Sequence, residues 1–233
     1  MTSLLLLNGS PRGPRSNSMK MLSRVAEGWA SEESLADPAV EVLHLAHSAD
    51  FAQAVDAFGR ADTVLLGMPL YTDSMPALVK TYIEALAPFV GHTEGPRLGF
   101  LVQSGFSEAL HSRPLQQYLE KLARRLGCAY AGTIVRGSGE SLQAMPDQAN
   151  NRLWTRLQGL GRSLAREDRF DPDLLRAVAK TERLSTIGAA AMKVALKIPL
   201  TQFYWNGQLK KNGAWDRRFA APYADAVGRR SHV

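Results

Sequence analysis

Short, wholly apolar runs alternate with segments of helical period through the first two thirds of the chain. Leu4 to Leu7 is four leucines in a row. A run without a polar side reads as a strand covered on both faces. Val40–Leu45, Val64–Gly67, Leu98–Gln103 and Tyr130–Val135 repeat the signal. Amphipathic helices are predicted between them at Asn17–Trp29, Asp50–Arg60, Pro76–Ala87 and Pro114–Leu126. The last of these sets Leu115, Leu119, Leu122 and Leu126 on one stripe. Such alternation predicts an α/β domain with a five-stranded parallel sheet, right-handed crossovers and helices on both faces.

Beyond the fifth strand the pattern is helical. Asp147–Ala165 carries Leu153, Leu157, Leu160 and Leu164 on one side, with Gly159 and Gly161 weakening its end. Asp171-Pro172 reads as an N-cap and first helical position, opening a helix towards Met192. Pro199 should stop any helical run before it. Phe203-Tyr204-Trp205-Asn206-Gly207 is too aromatic for an idle linker. The expected division is a domain over residues 1–167 and a C-terminal helical extension over 168–233, packed on that domain or on a partner subunit. Within it, 171–219 is expected to meet a second subunit and help wall the site.

Composition narrows the chemistry. A single cysteine, Cys128, excludes an intrachain disulfide and argues against a Cys-held iron–sulfur or zinc centre. No signal-peptide pattern precedes Leu4, and the apolar run from Ile187 to Leu200 is too short to span a bilayer and is broken by Lys193 and Lys197. A cytoplasmic protein with no membrane partner is expected. The net charge of +6 favours anionic ligands. Its most basic stretch is the tail, where Lys197, Lys210, Lys211, Arg217, Arg218, Arg229 and Arg230 stand against Asp216 and Asp225. No zinc-finger spacing or RNA-binding aromatic motif accompanies it, so no nucleic-acid partner is expected. His44, His47, His92 and His111 form no metal-ligand pattern, and no Gly-x-Ser-x-Gly elbow supports hydrolase chemistry.

Three loops carry the candidate chemistry. Asn8 to Ser18 follows the first strand and opens a helix. There Gly9 allows a tight turn, Ser16 and Ser18 offer hydroxyls to a phosphate, Arg12 or Arg15 offers charge unless it simply faces water, the helix start at Asn17 offers free N–H groups, and Ser10 is counted with them among the binding residues. A plain polar turn with a serine cap is the competing reading. Pro69-Leu70-Tyr71-Thr72 follows the third strand, with Tyr71 placed to pack beside a planar ring or simply on the surface. Ser104-Gly105-Phe106 follows the fourth, where glycine permits close backbone approach. All three leave the carboxyl edge of a parallel sheet, where such sheets bind ligands. A mononucleotide with a planar head group would use all of them.

At these residues the chain resembles the NAD(P)H-dependent FMN reductase and quinone reductase branch of the flavodoxin-like family. Gly-Ser-Pro-Arg at 9–12 with Ser-Asn-Ser at 16–18 resembles its phosphate loop. Pro69-Leu70-Tyr71, followed by Pro76 and Lys80, resembles its Pro-x-Tyr loop. Ser104-Gly105-Phe106 resembles its third flavin loop, and Gly132–Glu140 its return after strand five. The likeness covers roughly residues 3–140, with Gly13-Pro14 as an insert. It implies a flavodoxin-like three-layer sandwich of strand order 2-1-3-4-5, bound FMN, and NADH or NADPH as hydride donor. It further implies a quinone, nitro, azo or flavin acceptor and a homodimer. Cofactor chemistry of that kind needs no catalytic side chain and no metal. A one-electron flavodoxin-type carrier and a non-catalytic ligand-binding protein on the same fold are the alternatives.

Overall fold

The computed structural model describes residues 2–195 and 203–221. Five parallel strands form one sheet of order β2-β1-β3-β4-β5: β1 (Thr2–Asn8), β2 (Pro38–His44), β3 (Thr63–Pro69), β4 (Arg97–Gln103) and β5 (Tyr130–Arg136). β1 is central, pairing Leu4 with Val40 on one side and with Thr63 on the other. Side chains alternate across a strand, and the four leucines of β1 divide accordingly. Leu5 and Leu7 enter a core shared with α2 (Ser48–Arg60), α3 (Ala77–Ala85) and α4 (Arg113–Arg125). Leu4 and Leu6 enter one shared with α1 (Asn17–Ala30), α6 (Asn151–Glu167) and α7 (Pro172–Ala179). Each is at most 1% exposed, so each contributes about 1.5–3 kcal/mol of burial. This is the expected three-layer α/β sandwich. A short helix, α5 (Ser141–Ala144), follows β5.

α1 and α6 pack closely, and glycine permits it. A Cβ on Gly28 would lie 1.9 Å from the Gln158 carbonyl oxygen, and one on Gly161 would lie 2.0 Å from that of Val25. Gly161, expected to weaken its helix, instead lets the two backbones approach. α6 runs on to Glu167 and closes at Asp168 in the left-handed region, φ 63°.

The helix expected from Asp171 to Met192 is two helices. Asp171 caps α7, its side chain accepting from the Leu174 N–H at 2.8 Å. That helix stops at Ala179, where Lys180 takes φ 66°. The chain divides into compact units of Met1–Arg183 and Leu184–Val233. Residues 168–183 therefore lie in the first unit, where Phe170 and Val178 are buried in the α1–α6 core of their own chain. The second unit contains α8 (Thr186–Ala195) and α9 (Phe203–Lys211). Pro199, Lys197, Arg229 and Arg230 lie outside the described residues.

Candidate functional site

The order 2-1-3-4-5 reverses direction between β1 and β3, and the crevice beyond the strand ends at such a reversal is where open α/β sheets bind ligands. A small cleft opens there. The β1 loop contributes Ser10, Arg12 and Asn17, and the β3 loop Pro69, Leu70 and Tyr71. The β4 end contributes Gln103, Ser104 and Gly105, and the return after β5 contributes Glu140.

Asn8 holds the β1 loop in shape. Fully buried at the strand end, its amide donates to the Gly13 carbonyl at 2.7 Å and lies 3.0 Å from His44 Nδ1. Its Oδ1 accepts from the Ser10 N–H at 3.2 Å and the Ser16 hydroxyl at 3.3 Å. The contact to His44 needs an unprotonated Nδ1, because an amide N–H₂ only donates. Burial pushes the pKa of His44 down, the neighbouring His47 pushes the same way, and Asp50 opposes them. The neutral ring is the form the loop uses.

That network decides what the expected phosphate ligands do. The Ser16 hydroxyl, expected to reach a phosphate, accepts from the Met19 N–H at 3.1 Å while donating to Asn8; it is the helix cap. Ser18 is fully buried, its hydroxyl has no partner, and it is not among the cleft-lining residues. Gly9 also turns away from the cleft: a Cβ there would strike Val79 Cγ2 at 2.4 Å, so its glycine serves packing. Ser10 and Asn17 remain. Ser10 Oγ accepts weakly from the Arg12 N–H at 3.3 Å, which leaves its proton for a ligand. Asn17 donates to the Gly139 carbonyl at 2.8 Å, and its buried Oδ1 has no partner. Ser16 serves the N–H of Met19 and the carbonyl oxygen of Ser16 that of Lys20. The N–H groups of Asn17 and Ser18 therefore have no acceptor within the helix.

The other two loops divide similarly. Tyr71 and Ser74 exchange backbone hydrogen bonds at 2.8 and 3.1 Å across a turn whose central residues, Thr72 and Asp73, both take positive φ (48° and 61°). Such a turn ordinarily uses Asn and Gly, and a β-branched residue there is strained. Thr72 thus sits at the exposed tip, outside the cleft, while Tyr71 lines it and stays 46% exposed. Phe106 leaves the cleft to stack on His111, ring centroids 4.4 Å apart. Gly105 stays, and a Cβ there would meet nothing nearer than Glu140 Cγ at 3.8 Å. Arg12 and Glu140 face one another at 3.4 Å, their side chains 52% and 35% exposed; an ion pair near the surface is weak. Gln103, Glu140 and Asn8 bound the loops read from the sequence, but that reading gave none of them a role in the site. A polar residue ending an apolar strand, as in TSLLLLN and RLGFLVQ, is the signal that marks two of them.

A family profile described as a flavodoxin-like fold matches residues 2–157. Among solved structures, the chain is similar in fold to an FMN-dependent NADH-azoreductase from Bacillus anthracis determined with FMN. The TM-score is 0.55 at 14% identity, covering 71% of this chain and all of that one. An NADH:FMN oxidoreductase in its apo form gives 0.54 at 18% identity, covering 79% of this chain and 97% of its own. An NAD(P)H:quinone oxidoreductase from Methanothermobacter marburgensis gives 0.52 at 17% identity, covering 70% and 96%. At such identities the likeness is one of fold. No curated protein matches the sequence.

Proposed function

We propose, from the premise that this chain belongs to the flavodoxin-like family, that its cleft holds FMN and that it is an NAD(P)H-dependent oxidoreductase of a quinone, nitro, azo or flavin acceptor. The observation that carries the reading is Asn17, which lines the switch-point cleft with its buried Oδ1 unpartnered, beside the N–H groups opening α1 that have no acceptor within the helix. Buried polar atoms are rarely left without partners in a finished structure. An acceptor oxygen calls for a donor such as a ribityl hydroxyl, and the neighbouring N–H groups call for an anion. FMN carries both on one chain. The solved reductases of similar fold, one of them determined with FMN, add support.

The residues present fit that cofactor in defined roles. Ser10 donates its hydroxyl to the phosphate, with the N–H groups of Asn17 and Ser18 and, after release from Glu140, the Arg12 guanidinium. Asn17 Oδ1 accepts from the sugar chain. Leu70 and Tyr71 give an apolar wall for a planar ring, and Gly105 leaves room for its edge. When bound, the flavin supplies two-electron redox chemistry, which is why no side chain need act as nucleophile.

The test is to purify the protein without added flavin, release its cofactor and identify it by chromatography. FMN is expected, bleached in the holoprotein by NADH or NADPH. Mostly FAD would overturn the placing of a terminal phosphate at the Ser10 hydroxyl and the N–H groups opening α1. An apoprotein that does not take up FMN would overturn the flavin reading. Bound FMN that neither nicotinamide reduces would leave a carrier in place of a reductase.

A further inference from the structure

We propose that the second unit is a docking element for an anionic lipid surface. Charge is the first observation. Residues 1–183 carry 20 Lys and Arg against 20 Asp and Glu, whereas residues 184–233 carry eight against two. The whole excess of +6 therefore resides in the C-terminal unit. Between 203 and 221, Lys210, Lys211, Arg217 and Arg218 stand against Asp216 alone.

Apolar chemistry is the second observation. Ile187 is 83% and Phe219 86% exposed, and Trp205 is 61% exposed. Cations sit directly on the aromatics: Arg218 lies 4.0 Å from the ring centre of Trp215 and 4.8 Å from that of Phe219, with Lys210 at 5.1 Å over Trp215. Tryptophan under basic side chains suits a bilayer boundary, where apolar rings enter the headgroup layer and cations meet lipid phosphate. No helix among the described residues is long and apolar enough to cross a membrane, so the element lies on the surface.

Two other occupants fit less well. Nucleic acid would use the cations and would stack bases on the aromatic rings, but aliphatic Ile187, 83% exposed, adds nothing to it. A second copy would bring +6 against +6, a repulsion that works against an interface there. An anionic bilayer uses both the charge and the apolar side chains.

The experiment is co-sedimentation of the full chain with phosphatidylcholine vesicles, with and without roughly one third phosphatidylglycerol, at about 0.15 M salt and below. Binding is expected only to the anionic vesicles and should weaken as salt rises. Trp29 and Trp154 are buried in the first unit, so a blue shift of tryptophan emission on binding reads Trp205 and Trp215. Replacing Lys210, Lys211, Arg217 and Arg218 by Gln should weaken binding about fivefold per charge, several hundredfold in all. I187S with F219S should weaken it at least tenfold with every charge in place. Ile187 and Phe219 are exposed, so I187S/F219S should melt close to the parent, and circular dichroism checks that the charge variant, which also loses the Arg218 contacts to Trp215, stays folded. No sedimentation with anionic vesicles at low salt would overturn the proposal. So would equal binding to heparin with no effect of I187S/F219S, which marks a plain polyanion site. A dimer by light scattering that F219S dissociates, without vesicle binding, would assign the face to a second copy. None of these readouts involves flavin, so the proposal stands or falls apart from the redox reading.

Discussion

Asn8→Ala tests whether one buried amide organises the β1 loop. Two of its hydrogen bonds have ordinary lengths, 2.7 Å to Gly13 and 3.0 Å to His44, and are worth roughly 0.5–1.5 kcal/mol each net. The two at 3.2 and 3.3 Å are weaker. Truncation also strips the Ser10 N–H of its acceptor, at about 1–3 kcal/mol if water does not reach it, while the Gly13 carbonyl keeps the Ser16 N–H at 3.1 Å. Partial entry of water brings the total to about 2–4 kcal/mol. With a urea slope near 2 kcal/mol per molar, the unfolding midpoint should fall by about 1–2 M. FMN affinity of the folded variant should fall at least tenfold, because Ser10 and Asn17 both depend on the loop path. Asn8→Asp keeps the accepting oxygen and turns a carboxylate towards His44, so the His44 pKa, followed by NMR, should rise. A midpoint within 0.3 M of the parent (about 0.6 kcal/mol at that slope), or unchanged FMN affinity, would refute the reasoning.

Ser16→Ala should lower stability by about 1 kcal/mol as a lost cap, whereas Ser10→Ala should weaken FMN about tenfold through a lost charge-assisted bond; urea melts and apoprotein titration separate the two, and equal effects on affinity would contradict the assignment. Gly161→Ala places a Cβ 2.0 Å from the Val25 oxygen and 2.6 Å from the Trp29 nitrogen, so it should destabilise by about 3 kcal/mol or more. Gly159→Ala meets only the movable end of Leu174 and should stay within about 1 kcal/mol of the parent; the reverse order in thermal melts would show the helix contact misread. The depressed pKa of His44 means the unfolded chain takes up that proton first. Its contribution to stability is therefore complete above the ordinary value of 6.5 and lost as pH falls through the folded pKa. His44→Gln should flatten that acid limb, and an unaltered limb would place the titration elsewhere.

The strands were readable because a doubly covered sheet demands apolar residues on both sides of each inner strand, and Leu4–Leu7 and Val64–Met68 supply them. β2 was readable despite being an edge, with Val40 and Val42 each about 40% exposed. Gly161 misled because propensity counts what a glycine does to its own helix, while its purpose lies on α1, which a local window does not see. The break at Lys180 was hidden for a related reason. Ala179 and Val178 are held by β5 and its neighbours, and only that tertiary contact fixes where the helix stops.

Within the site, position was readable and division of labour was not. Loop placement at the carboxyl ends follows from strand direction, so Ser10, Arg12, Asn17, Tyr71 and Gly105 fall in one cleft. Which hydroxyl faces it depends on who else needs a hydroxyl, and Ser16 is claimed by Asn8 and Met19. The charge partition sharpens the point. The unit holding the cleft is electrically balanced, 20 basic against 20 acidic residues, and Arg12 is already beside Glu140. Within its own unit the cleft therefore has no net charge to draw an anion in. Recognition of a phosphate must come from close-range dipoles, the Ser10 hydroxyl and the N–H groups opening α1, whose worth depends on the loop Asn8 holds. FMN affinity should accordingly depend only mildly on salt but strongly on Asn8, the opposite of what a site steered by net charge would show.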